Sequence, residues 1–228
     1  MAILNSNRKG FLVGSSAGTY EAALSQTTSA TVFDQATGNQ GNCIQYFKNT
    51  GRGGGTFRFV RTFLHFDTSG ISGASSISLQ LTSVAGDASD GNFNVVAIKH
   101  SAGSSNGSAI VSGDFDNIDR STNYSTSTAF GSSGTITFSL NATAATQING
   151  ENDFNVALVL TLDQQQAEED PLESSGDISC GIAFSSAINL VYTAAATGYS
   201  NTINTVSTEN IGKVDTVATA NIEKIIGI

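Results

Sequence analysis

TFRFVRTFLHF, residues 56–66, carries apolar side chains at both parities. Phe57, Phe59 and Phe63 share one parity with Arg61 and His65, while Val60, Leu64 and Phe66 hold the other. Successive side chains of a strand point to opposite faces, so this pattern predicts a central strand covered on both sides. SISLQLTSV (76–84) differs: Ile77, Leu79 and Leu81 alternate with Ser78, Gln80 and Thr82, which predicts a strand buried on one face only. TITFSL (135–140) repeats that alternation. Further strands are expected at ATVFD (30–34), CIQYF (43–47), FNVVAIK (93–99), DFNVALVLTL (153–162), DISCGI (177–182) and AINLVYT (187–193), with one helical turn at ATAATQI (142–148). About nine strands without helices between them predict an all-β chain, an antiparallel β-sandwich or jelly roll.

The chain has 228 residues, enough for one well-buried domain and an appendage. The expected division is an N-terminal segment at 1–24, either an anchor or a first strand, a jelly-roll domain at 25–196, and a repeat tail at 197–228. Only 13% of residues are charged, so solubility must rest on hydroxyls and amides. The formal charge of −9 opposes nucleic-acid phosphates and anionic membranes. No apolar run approaches the roughly 20 residues of a membrane span. The opening MAILNSNRKGFLVG is too short in apolar residues after its basic pair to read as a signal peptide, which predicts synthesis in a cytoplasm. There Cys43 and Cys180 are expected to stay reduced and packed, although pairing between them remains open.

Catalytic chemistry has little to build on. The two histidines, His65 in a core-like strand and His100 at a strand end, lie in no GxSxG or HExxH pattern. Glu168, Glu169 and Asp170 sit in a Gln-rich loop, which gives no fixed carboxylate separation. The expectation is a non-enzymatic protein. GDFDNID offers Asp114, Asp116 and Asp119 as hard oxygen ligands for calcium, or as a local Asx-turn network that needs no metal. The long polar loops at 50–55, 86–92, 99–134 and 163–177 are where binding residues would stand on a rigid β scaffold. Sugar recognition favours an aromatic face. The chain has no Trp, so Tyr124 and Phe130 are the glycan-binding candidates, with Tyr199 a further loop aromatic.

NTINTVSTENIGKVDTVATANIEKIIGI (201–228) repeats with a period of eleven. Ile203 aligns with Val214 and Ile225, Val206 with Val217 and Ile228, and Ile211 with Ile222. On a helix that period gives about 98° per residue and gathers these eight residues on one face. The abundance of Thr, Asn, Val and Gly argues against a helix. The alternating parity argues against one continuous strand, so short strands separated by turns remain the other reading. Either way the apolar stripe must pack on its own domain, on copies of itself or on another protein, which makes those eight residues the expected assembly interface.

RTFLHFDTSGISGASSISLQL (61–81) resembles the DNRLRE family of jelly-roll domains, which is similar to carbohydrate-binding modules. There an Arg-x-Phe-Leu-x-Phe-Asp strand leads through Ser and Gly into strands of alternating Leu. TFSLNATAATQINGENDFNVALVL (137–160) and AFSSAINLVYT (183–193) continue the likeness, which spans most of 25–195. Asp67 then reads as a scaffold residue that accepts backbone N–H groups in the turn. The chain departs from the family in lacking Pro before its last strand and in the acidic insertion at 163–177. The tail resembles the Asn-Ile-x-Lys-Val-x-x-Val repeats that end many structural proteins of tailed bacteriophages. Together the resemblances imply a virion structural protein, a capsid decoration or fibre-type protein, made in the host cytoplasm and carried on the particle. Its implied partners are copies of itself, a trimer if fibre-like, and other virion proteins. The alternative is a glycan-binding module that adsorbs to surface polysaccharide.

Overall fold

The computed structural model describes residues 1–35, 42–51, 55–87, 94–101, 109–129, 134–166, 177–195, 213–214 and 217–218. The chain divides into two compact units, Met1–Thr193 and Ala194–Ile228. The first is an antiparallel β-sandwich of the expected class.

Its organising strand is β5 (Thr56–Asp67), whose eight residues from Phe59 to Phe66 are all buried. One edge of β5 pairs with β2 (Arg8–Gly14), from Arg8↔His65 to Val13↔Val60, and a bridge from Ala17 to Phe57 extends that edge. The other edge has two partners in succession. β4 (Asn42–Asn49) takes Thr56 to Val60, and β11 (Asp153–Leu160) takes Thr62 to Asp67. Burial on both faces is thus a consequence of position, as its two-sided apolar pattern predicts.

β12 (Ile178–Thr193) is built the same way. It pairs along one edge with β6 (Ser75–Asp87), and along the other with β4 and then with β1 (Ala2–Asn5). β10 (Gly134–Ser139) closes this layer against β6. The layer around β5 continues through β11 to β7 (Asn94–His100), then to β8 (Ile118–Asn123) and the short β9 (Thr128–Ala129), while β3 (Ser29–Gln35) flanks β2.

Two segments join the layers: β4 lies between β12 and β5, and the chain from β1 to β2 passes from β12 to β5. The passage occurs at Ser6 and Asn7, whose amides donate to Ile188 O (3.0 Å) and His65 O (3.1 Å). Residues 1–24 therefore supply two strands and the helix α1 (Tyr20–Leu24). Thr19 caps α1 by accepting from the Ala22 amide at 3.2 Å, and Tyr20 packs edge-on against Tyr46.

Three expectations need correction. DISCGI and AINLVYT form one strand, because register shifts between Ala183 and Ile188 absorb the break in alternation. DFNVALVLTL is strand only to Leu160, and Thr161 opens the short helix α3 (Thr161–Gln165). The segment 99–134, read as loop, holds β8, β9 and a 3-10 turn at Ser112–Asp114. The helical turn at 142–148 is a nine-residue helix, α2 (Ala142–Gly150), capped by Asn141. Asp67 accepts from the Ser69 amide at 3.1 Å, the turn role expected of it.

The second unit contains β13 (Lys213–Val214) and β14 (Val217–Ala218), an antiparallel pair with Val214 opposite Val217.

Candidate functional site

The interior of the sandwich holds charge. Arg61 has no exposed surface, and its guanidinium forms a two-point pair with Asp163 (Nε–Oδ2 2.6 Å, Nη2–Oδ1 2.7 Å). Nη1 donates to Phe115 O at 2.6 Å, and the group lies 4.0 Å from the Phe115 ring centroid. Arg120 joins from β8, donating to Asp116 at 2.8 Å and to Asp163 O at 3.2 Å. A buried guanidinium needs this saturation, because a planar five-donor cation out of water otherwise loses its solvation uncompensated. α3 exists to deliver Asp163 to this place, where only 1% of it is exposed. Sequence reading put Arg61 on a central strand covered on both sides and named no partner for it; that partner lies 102 residues away.

Both histidines are buried. His65 contacts Asn7 Oδ1 (2.6 Å) and Asp153 Oδ1 (2.9 Å), tying the β1–β2 junction to β11 across β5. His100 lies edge-on to Phe63 and contacts Leu64 O at 3.0 Å. Burial pulls its pKa down to about 4, so its ring is neutral at pH 7.

The three aspartates proposed for calcium do not converge. Asp114 accepts from the Val111 amide (2.9 Å) and from Asn117 Nδ2 (2.7 Å), which locks the 3-10 turn. Asp116 faces Arg120 and Arg61. Asp119 accepts from the Ser121 hydroxyl (2.5 Å) and the Thr122 hydroxyl (2.7 Å), bonds that hold its carboxyl below the ordinary range. Among the described residues no group of three His, Cys, Asp or Glu is placed to hold a metal ion. Local turn contacts engage Asp114 and Asp119, whereas Asp116 is held by arginine side chains.

Tyr124 is a core residue and offers no ring face to a sugar. It has no exposed surface, its ring packs 5.0 Å from that of Phe154, and its hydroxyl donates to Gln147 on α2. Burial raises the phenol pKa well above its ordinary value. Phe130 and Tyr199 lie outside the described residues, as do Ile203, Val206, Ile211, Ile222, Ile225 and Ile228 of the proposed interface. Val214 and Val217 of that interface are register partners.

The register of β4 against β12 bears on the cysteines. Cys43 lies opposite Ala183 and Cys180 opposite Tyr46, three positions apart along the ladder. That offset separates their Cα atoms by about 10 Å, beyond the reach of a disulfide.

One open cleft, of about 360 Å³, lies where β6 and β10 meet α2. Ser75, Ser76, Ser78, Ser139 and Asn141 line it with hydroxyl and amide groups, above the apolar Ile77, Leu140 and Ala145. Ser76 holds a left-handed backbone (φ 49°) at the entry to β6. Sequence analysis assigned no site here. The signal was nevertheless present, in the polar parity of SISLQLTSV and TITFSL. No protein-family model matches the chain, and no curated protein is significantly similar to it.

Proposed function

We propose that this chain is a non-enzymatic structural protein of a tailed-phage particle, a decoration or fibre-type subunit in which the sandwich is the displayed body and residues 197–228 assemble copies or dock them. The observation that carries this reading is the eleven-residue repeat. It forms a unit apart from the sandwich, and its described residues pair as β strands with repeat positions Val214 and Val217 opposite each other. A repeated apolar stripe leaves side chains that one thin tail cannot bury by itself, so association is its natural use. The likeness of the repeat to those of tailed-phage structural proteins supplies the particle. The sandwich supports a passive role: its buried ionisable groups at Arg61, Asp163, His65 and His100 are committed to internal partners.

Light scattering on the full chain and on a chain ended at Ala196 tests the assembly. The expected result is a multimer that falls to monomer on truncation. Monomer in both forms, with no binding to particles lacking this protein, defeats the reading.

A further inference from the structure

We propose that the open edge of β3, with the phenylalanine pair beside it, is the surface on which the repeat tail of another copy docks as an added strand, a reading that rests on the assembly role of the tail. Among the described residues β3 pairs with β2 alone, which makes it an edge strand. The unpaired N–H and C=O groups of an edge recruit other strands, so edges are commonly guarded by Lys or Pro. The sequence of β3, SATVFDQ, contains neither. Its register with β2 sets Phe33 opposite Phe11 and Thr31 opposite Val13, so these four side chains share one face. The Phe33 ring stacks on that of Phe11 with centroids 4.3 Å apart and planes 16° apart, yet 37% of Phe33 is exposed. Val111, 54% exposed, stands near the first residue of β3, because the adjacent Ser112 hydroxyl donates to Ser29 O at 2.6 Å. Two of the four large apolar residues exposed among the described residues therefore flank this one strand.

The tail has the complementary deficit. β13 and β14 pair over only two residues each, with Val214 and Val217 side by side on one face and Lys213 and Ala218 on the other. A hairpin that short is not stable alone in water and needs a further strand and an apolar floor. β3 offers both: backbone groups along its edge, and Phe33 with Phe11 to continue a cross-strand apolar row. Arithmetic says whose tail it is. Val214 and Val217 recur in the sequence as Ile203 with Val206 and as Ile225 with Ile228, so one chain carries three such pairs and one β3. Its own β3 can serve at most one of them, and the others require the edges of further copies. The contact joins two different surfaces, tail to edge, and is therefore heterologous and able to extend from copy to copy. Two sandwiches meeting β3 to β3 would leave the apolar pairs of both tails uncovered.

A photoreactive benzoylphenylalanine placed at residue 33 of the full chain tests the contact. Isotope-labelled and unlabelled copies are mixed, irradiated and read by mass spectrometry. The expected result is a crosslink between differently labelled copies, from residue 33 into residues 201–228. Crosslinks only to the tail of the same copy, only to β3 of another copy, or to no partner overturn the proposal. Phe33→Asp should also raise the concentration at which copies associate by about tenfold or more, read by light scattering. If Phe33→Asp does not fold, Val217→Asp is read in its place, since that residue lies in the unit apart from the sandwich. An assembly that is lost on truncation at Ala196 but survives these substitutions overturns the β3 surface and leaves the role of the tail standing. A full chain that is already monomeric overturns both.

Discussion

Arg61 has no contact with water, and everything around it follows from that. Its pair with Asp163 contributes less through attraction than through the penalty of leaving either member alone. Arg61→Met should destabilise the fold by about 3–5 kcal/mol, because it leaves the buried Asp163 carboxylate only the 3.4 Å contact with Arg120 Nη2. Arg61→Met with Asp163→Leu should recover much of that loss, and urea denaturation of the three proteins measures the difference. His100 gives a pH signature. Its folded pKa lies near 4, below the ordinary 6.5, so the unfolded chain binds the extra proton between those values. Stability is therefore full above pH 6.5 and falls as the pH drops toward 4, by roughly 3 kcal/mol from this group. His100→Gln should flatten the stability profile across that window, as read by urea midpoints at stepped pH. Residue-scale roles were the least legible in the sequence. Tyr124 reads as a loop aromatic because Ser and Thr flank it, yet its environment comes from Phe154 and Gln147, which the local sequence does not announce.

Elements were far more legible, since period-two alternation is written into each strand. β5, β6 and β10 stand where their parity places them. β12 hid its continuity because residues between Ala183 and Ile188 slip register, and alternation is the only local sign of a strand. Its fit against β4 is tight at Gly181, where an added Cβ would come within 2.6 Å of Ile44 O and 3.0 Å of Gln45 Cα. Gly181→Ala must move backbone, and should cost about 1–3 kcal/mol in thermal or chemical unfolding. α2 is fastened to the start of β6 by one side chain. Asn149 accepts from the Ala74 amide (2.6 Å) and donates to Ala74 O (3.1 Å). Asn149→Ala should lower stability by about 1–3 kcal/mol. Because Ala74 immediately precedes the cleft wall, the same substitution should loosen Ser75 and Ser76, visible as faster amide exchange there.

At the scale of the whole molecule, the two-layer sandwich could be inferred from half-buried and fully buried strands together. The order of those strands could not, because it depends on pairings between distant segments. Strand order in turn sets Cys43 and Cys180 three positions apart along the β4–β12 ladder, so thiol titration in denaturant should count both without added reductant. It also sets a timetable. Ala2 pairs with Tyr192, and Asn5 with Asn189, so β1 waits for β12, which is made after every other strand of the sandwich. At about 5–20 residues per second of synthesis, that wait lasts tens of seconds. Until β12 arrives, β4, β6 and β1 each lack a neighbour, and the exposed edges of a growing chain are open to wrong partners. A ribosome-bound chain halted before Ile178 should therefore remain protease-sensitive throughout, and native resistance should appear in one step once β12 has emerged.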